Sequence, residues 1–495
     1  MIMAWLRKTL ILAHRYLGIV LSLVFAMWFL SGIAMMYAKD MPRLTPEERL
    51  ARREAVDFSR VTLSPADAAQ RAGLSRPGGA VLVTIMGRPA YRFGGETVFA
   101  DTGQRMRELG PDEALAVASG FLRLPDSALR HESLMARADQ WTIQQAGQLP
   151  LHKVVADDEA GTVLYISPKL GEVIVMTTRG TRALAWVAAI PHWMYFKALR
   201  TNGLLWRRVV LSLSGLGALA VLLGLVLAVI QFAPSRPAGR SRPRIYIPYS
   251  GWMRWHYVTG VVFGVFALTW VSSGWLSMEP FNWASEEGAG YGIYETLAGG
   301  PLDLAQFPEF DAAAWKALLP VGTIKEVALV RIQGDPYYVV PSAAREPILV
   351  TVDPLRLKDE PFTIESLMAR VRQGSEGVPL VDAELLEDYD SYYYAQERDA
   401  PLPVLRVRFG DPDATWFYID PATSQVVSSI TGRRRLERWI YHGFHSLDFP
   451  FWYYSRPLWD IGTIALALGG ALLSVIGAVI GFRRVKRFRL RDSIP

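Results

Sequence analysis

The chain has 495 residues, 51% hydrophobic and 20% charged, with a formal net charge of +6. It is too apolar for an ordinary soluble protein and too polar for an all-helical transporter, so membrane spans joined to water-facing domains are expected. The absence of cysteine excludes disulfides, thiolate zinc sites, iron–sulfur clusters and covalent c-type haem attachment, leaving His, carboxylates, Tyr and Met for any metal chemistry.

In chain order, Arg7 and Lys8 precede His14 and an apolar stretch over 15–37. Its length and the lack of a small-residue cleavage site make it an anchor rather than a signal peptide. Residues 1–37 are therefore read as a cytoplasmic N-terminus and first span, and 38–180 as a first external region. An interfacial segment and second span follow over 181–232, with apolar core 208–232. Next come a basic loop over 233–250, with Arg236, Arg240, Arg242 and Arg244, and a third span over 251–278, apolar from 257. A second external region covers 279–435, and an interfacial segment with the fourth span covers 436–482, apolar from 459. The tail, 483–495, carries Arg483, Arg484, Lys486, Arg487, Arg489 and Arg491. The positive-inside rule puts the three basic groups in the cytoplasm. Both long segments then lie outside, which in a bacterial inner membrane means the periplasm.

The external segments read as α/β. "ADTGQRM" and "LYISPKLGEVIVM" are strand–turn–strand patterns, answered later by "VTVDPLRL" and "FYIDPATSQVVSSI". "GPDEALAVASGFL" has helical spacing and an acidic first turn. Each external segment is expected to hold two small helix-plus-hairpin units.

The chain also reads as a duplication. An offset of 242 carries His14 to His256, Gly18 to Gly260, Trp28 to Trp270, Ser31 to Ser273 and Gly32 to Gly274. Further on, an offset of 253 carries Tyr165 to Tyr418, His192 to His445, Trp206 to Trp459, Gly217 to Gly470 and Gly224 to Gly477. The expected fold is membrane α-helical, with four transmembrane helices in two parallel repeats about a pseudo-twofold axis, plus two external α+β regions. "ESLMAR" recurs at 132–137 and 365–370, but its offset of 233 is out of register, so it is coincidental.

There are seven histidines, and five flank the spans. A twofold brings His14 to His256 and His192 to His445, at opposite ends of the bundle. Two facing imidazoles at membrane depth are the axial ligands of a b-type haem, so two b haems are expected, one near each membrane face. The span glycines Gly18, Gly32, Gly217 and Gly224 permit close approach of a macrocycle or a neighbouring helix. External Arg182, Arg200, Arg207, Arg433 and Arg438 are candidates to pair with propionates. His442 has no repeat mate, since Ala189 stands in its place; a ligand, a supporting partner and a proton donor are open roles for it. His131 and His152 read as ordinary satisfied histidines, and Trp28 and Trp270 as packing residues. The stretches 279–296 and 387–399 are candidates for a substrate mouth or plain exposed loops.

At these residues the sequence resembles the PepSY-associated transmembrane helix family. "AHRYLGIVLSLVFAMWFLSG" is similar to its first span, and "YHGFHSLDFPFWYYSRPLWDIGTIALALGGALLSVIGAVIGFRR" to its last. "YISPKLGEVI" and "YIDPATSQVV" resemble the terminal hairpin of PepSY domains. The resemblance implies inner-membrane proteins that include periplasmic ferric-siderophore reductases, with haem at His14, His256, His192 and His445. The expected partners are a ferric siderophore or other ferric chelate, and a quinol, reduced flavin or partner reductase as donor, because no nucleotide fingerprint follows a strand. A lipid bilayer is expected and nucleic acid is not. The alternative is a non-enzymatic PepSY binding or regulatory membrane protein. Four spans without a mid-span charge argue against a permease.

Overall fold

The computed structural model describes residues 2–38, 40–74, 78–235, 244–247, 249–283, 292–320, 322–342, 346–395 and 400–491. The chain divides into two units. Met1–Met41, Ala183–Ser285 and Arg433–Pro495 form one, and Pro42–Arg182 with Glu286–Gly432 form the other.

The first unit is built on four long helices, α1 (Ile2–Ala38), α2 (Gly203–Ile230), α3 (Gly251–Ser277) and α4 (Leu458–Arg491). Each exceeds the roughly 20 residues that cross a bilayer. They start before the apolar stretches read from sequence, because nothing there breaks a helix. Residues 2–14 hold neither Gly nor Pro, so α1 runs back through Arg7 and Lys8. Helix α2 starts at a cap, where the Asn202 side chain accepts from the Leu205 N–H at 3.0 Å.

Helix α1 packs on α4 and α2, and α3 packs on the same two, so α1 and α3 are diagonal partners. Outward faces expose Val20, Leu23, Leu204 and Val229, which suits hydrocarbon rather than water. Three buried serines are satisfied within their own helices: Ser22 donates to Gly18 O at 2.6 Å, Ser214 to Val210 O at 2.6 Å and Ser474 to Gly470 O at 2.7 Å.

Strands β1 (Ala80–Ile85), β2 (Arg88–Phe93), β3 (Glu96–Phe99), β4 (Leu129–Met135), β5 (Leu151–Ala156), β6 (Val163–Ser167) and β7 (Glu172–Thr177) fall in the first long segment. The short β8 (Ala233–Ser235) and β9 (Arg244–Tyr246) pair between α2 and α3. The second segment holds β10 (Glu326–Ile332), β11 (Asp335–Val340), β12 (Ile348–Thr351), β13 (Arg356–Leu357), β14 (Leu380–Leu386), β15 (Val404–Phe409), β16 (Trp416–Asp420) and β17 (Gln425–Ile430).

The two strand-rich segments share a sheet rather than forming the two separate regions that the sequence suggests. Their hairpins merge into one seven-stranded sheet ordered β13-β12-β11-β10-β1-β2-β3. At its centre β1 pairs antiparallel with β10, Ala80 opposite Leu329 and Leu82 opposite Val327. The flanking hairpins turn at Met86–Gly87 and Gln333–Gly334, all with positive φ, as a tight two-residue hairpin requires. Counted from these turns, Leu82 and Leu329 hold the same place, so the register reads alike from either side. Each meander alone would leave an open edge, and β1–β10 pairing closes both. One core draws on both segments: Phe58 stacks on Trp315 at 4.9 Å, and Trp315 meets Tyr338 edge-on at 5.2 Å.

Two four-stranded sheets complete this unit, β4-β5-β6-β7 and β14-β15-β16-β17. Helix Pro111–Leu122 covers the first and helix Ile364–Gly374 the second. Two tyrosines 253 residues apart act alike here. Tyr165 donates to Asp139 at 2.7 Å and Tyr418 to Asp390 at 3.0 Å, each tying a strand to an overlying loop. The hairpins and the helix anticipated from sequence are present at 163–177, 416–430 and 111–122.

Candidate functional site

The bundle gathers its histidines in two layers. His14 on α1 and His256 on α3 face across the diagonal with ring centroids 6.1 Å apart. His192 and His445 form the second pair, at 6.0 Å. Neither of the latter lies on a long helix. In the first half a helix breaks at Ala188 and restarts as Ala189–His192. In the second half the equivalent residues pass through a π-turn, Trp439–Gly443, into Phe444–Ser446. A single π-turn inside a helix commonly marks a functional site. A tryptophan then pins each segment: Trp206 Nε1 donates to Trp193 O at 2.9 Å and Trp459 Nε1 to Leu447 O at 3.1 Å.

Each ring has a seat on another helix. His14 Nδ1 lies 2.8 Å from Ala220 O. His192 Nδ1 lies 3.2 Å from Trp28 O, and His445 Nδ1 lies 3.0 Å from Trp270 O. Ser31 and Ser273 support the last two from 3.2 and 3.1 Å. A carbonyl only accepts, so these contacts place the proton on Nδ1 and leave Nε2 with its lone pair free. His256 Nδ1 is buried beside the Leu473 backbone of α4.

A glycine lies beside each of the four rings, and at Gly224 and Gly274 it leaves room that a side chain would take. A Cβ at Gly224 would meet His14 Cε1 at 2.7 Å, at Gly32 His192 Cε1 at 3.4 Å, at Gly274 His445 Cε1 at 3.3 Å and at Gly477 His256 Cε1 at 3.6 Å. Gly217 instead receives the Phe25 ring at 2.8 Å and Gly470 the Phe29 ring at 2.8 Å. A Cβ at Gly18 would meet nothing within 4 Å among the described residues. A graded outcome follows. Gly224→Ala is expected to displace His14, because 2.7 Å is closer than any real Cβ contact, whereas Gly477→Ala at 3.6 Å is expected to be tolerated. Equal effects of the two substitutions on any ligand bound at this layer would contradict these seats.

Spacing constrains the chemistry. With metal–imidazole bonds of about 2 Å and about 1.1 Å from nitrogen to ring centre, two imidazoles on one ion place their centroids about 6 Å apart. Among the described residues, no three or more His, Asp or Glu side chains gather to hold a metal ion. A bare transition metal usually needs three or four protein ligands. A pair suits an iron whose other four ligands come from a macrocycle.

The other histidines differ. His131 Nε2 and His152 Nδ1 are 2.9 Å apart, a direct hydrogen bond with no space for an ion, and His152 Nε2 donates to Leu109 O at 2.8 Å. Burial, then the neighbouring His152, push the His131 pKa down. His442 stands edge-on to Tyr441 at 5.1 Å, while Tyr441 stacks on His445 at 5.1 Å. His442 is therefore beside the second layer and outside its ring pair.

The arginines assigned to propionates have protein partners. Arg438 is buried, donating to Asp448 O at 2.9 Å and facing Asp448 Oδ1 at 3.5 Å. Arg207 donates to Glu279 O at 2.9 Å and Met278 O at 3.2 Å. Arg200 lies over Trp206 at 4.6 Å. Arg433 sits in the helix Gly432–Arg438. Arg182 belongs to the strand-rich unit and donates to Gly161 O at 3.0 Å and Thr177 Oγ1 at 2.9 Å. Of the candidate mouth, 284–291 and 396–399 lie outside the described residues.

Four apolar helices of spanning length with inward-facing histidines define a multi-pass membrane protein. The chain belongs to the PepSY-associated TM region family, which matches residues 11–317. None of the curated proteins compared with the chain matches it.

Proposed function

We propose that the chain is a b-type dihaem oxidoreductase of a bacterial inner membrane that passes electrons outward to ferric complexes, including ferric siderophores, in the periplasm. The carrying observation is the pair of histidine layers, each with ring centroids about 6 Å apart and three of the four rings held through Nδ1. Bound between two imidazoles, a haem iron exchanges single electrons and offers no open position to oxygen. His14 and His256 would hold one haem, His192 and His445 the other. Backbone carbonyls fix the ring orientations and strengthen the imidazoles as ligands.

In this reading the halves are a duplication, two parallel repeats about an axis along the membrane normal, which explains why mates such as Trp28 and Trp270 serve His192 and His445 alike. His14 is 17 residues before Ser31 on α1, so the layers are about 25 Å apart at 1.5 Å per residue, too far for one iron and suited to a path across the membrane. Phe25, Phe29 and Trp270 line the bundle between them, Phe29 lying 5.9 Å from Trp270 and 6.5 Å from Phe25. These rings exclude water from the interior. Each electron delivered outward would convert one Fe(III) in an oxygen-donor chelate to Fe(II), which such ligands hold less tightly. A quinol, reduced flavin or partner reductase on the cytoplasmic side would supply it.

The test is anaerobic. Purified protein is reduced and mixed with hydroxamate, catecholate and citrate complexes of Fe(III) plus a ferrous trap. Reoxidation of a b-type spectrum matched one-for-one by trapped Fe(II) is expected. A colourless protein would overturn the haem reading and favour the binding or regulatory alternative. A coloured protein indifferent to all three complexes would reject only the ferric acceptor.

A further inference from the structure

Two buried indole donors, on the residues whose carbonyls face the His192–His445 pair, lack acceptors among the described residues. Trp28 Nε1 and Trp270 Nε1 each expose less than 1 Å² and have no hydrogen-bond partner. They are repeat mates, 242 residues apart. Each backbone carbonyl holds a histidine of this layer, Trp28 O contacting His192 Nδ1 and Trp270 O His445 Nδ1. Trp270 is only 8% exposed. Leaving a buried N–H unpaired is unfavourable, and the same omission at two positions 242 residues apart points to a shared acceptor outside the protein chain.

Two of the nearby cations are engaged elsewhere, and Arg200, stacked over Trp206 with its Nε buried and unpaired among the described residues, is a further donor on this side. Arg438 is turned to Asp448, and Arg207 to the carbonyls of Met278 and Glu279. Packing alone does not explain the indoles either, since phenylalanine fills apolar space without a polar atom, as Phe25 and Phe29 do at Gly217 and Gly470.

We infer that the indole N–H groups of Trp28 and Trp270 are the hydrogen-bond donors for the carboxylates of the group held between His192 and His445, an inference that rests on the haem reading above. The match is one of number and chemistry. Haem b carries two propionates, its only strong peripheral acceptors, and the site offers two buried donors. An N–H donated to a carboxylate disperses negative charge beside the iron and so favours the reduced state. The tryptophans are positioning residues that tune this centre, and the His14–His256 centre is the internal reference.

The experiment uses the full-length protein with its haems. Trp28→Phe, Trp270→Phe and the double variant are compared with the wild type by redox titration and by resonance Raman of the propionate bending modes. The expected result is full haem content, a lowered midpoint potential for the His192–His445 centre alone, and a shifted propionate mode. The double variant should shift further than either single one. Trp270→Gln, which restores an N–H donor without the ring, is expected to recover part of the shift. Unchanged potential and propionate modes in the double variant would overturn the inference, as would a Gln variant equal to Phe. Absence of haem from the wild type would instead sink the reading on which the inference stands.

Discussion

On the dihaem function proposed above, alanine at His192 or at His445 is expected to halve the haem content and to remove the same spectral component in both variants. Alanine at His14 or His256 should remove the other. The rings of each pair lie at 6.0 and 6.1 Å, so one missing imidazole breaks the axial set of one iron only. The layers are separated by about 25 Å of helix, beyond the reach of a shared ligand. Outcomes within a pair should therefore match, and outcomes between pairs should differ. A high-spin signal from a singly ligated iron is an acceptable partial form of the loss. Because His14 is seated on Ala220 and Gly224 of α2, its loss should leave the second layer untouched. Absorption and electron paramagnetic resonance spectra of the four single variants decide the matter. One substitution that strips both haems from a folded protein would defeat the two-layer arrangement.

The second large effect is expected in the strand-rich unit, at Glu172. This carboxylate on β7 receives Arg53 at 2.6 Å and Arg92 at 2.7 Å, and Arg53 also reaches Glu326 on β10. The network joins the first four-stranded sheet to the seven-stranded sheet. All three principal side chains are at most 14% exposed. Burial alone would raise the Glu172 pKa, but Arg92 and Arg53 outweigh it and hold the carboxyl below its ordinary range. Removing one partner of a buried pair costs about 3–5 kcal/mol, because the remaining charge stays buried and uncompensated. Glu172→Gln is expected to destabilise this unit by that order, seen as a lower thermal midpoint and earlier proteolysis of 42–182. The pH dependence has a definite sign. With a folded pKa below the unfolded value of about 4.3, the contribution is complete above that value and fades as pH falls through the folded pKa. The gap between wild type and variant should therefore be constant near pH 7 and close under acid. A gap that widened with acidification would contradict the ion-pair account.

Much of the architecture was legible because it is written in local pattern. Spans announce themselves by twenty or more apolar residues, and hairpins such as 163–177 and 416–430 by alternation around a turn. The ring pairs were legible through two constant offsets, which identify residues at equivalent depths before any contact is known. Trp28 and Trp270 were in the same offset and still read as packing, since a sequence does not show whether an indole N–H finds an acceptor. The arginines show the reverse. Their charge is visible in sequence, but the partner is not, and Asp448 or a pair of carbonyls can satisfy a guanidinium as well as a propionate can.

The hexapeptide "ESLMAR" separates the two kinds of information. At 132–137 it enters β4, paired to β5 with Leu134 opposite His152. At 365–370 it lies in a helix whose cap, Thr363, accepts from the Ser366 N–H at 3.2 Å. Six residues carry too small a preference to choose, and a cap in one place and a waiting strand in the other make the choice. The sequence by itself determined the four spans, the repeat offsets, the short hairpins and which histidines share a depth. Only the tertiary structure decided that β1 joins β10, that Gly224 and Gly32 seat the rings of His14 and His192, and that Arg438 belongs to Asp448. Local elements follow from nearest-neighbour chemistry, whereas these contacts join residues far apart in the chain and are fixed only when competing partners are brought together in space.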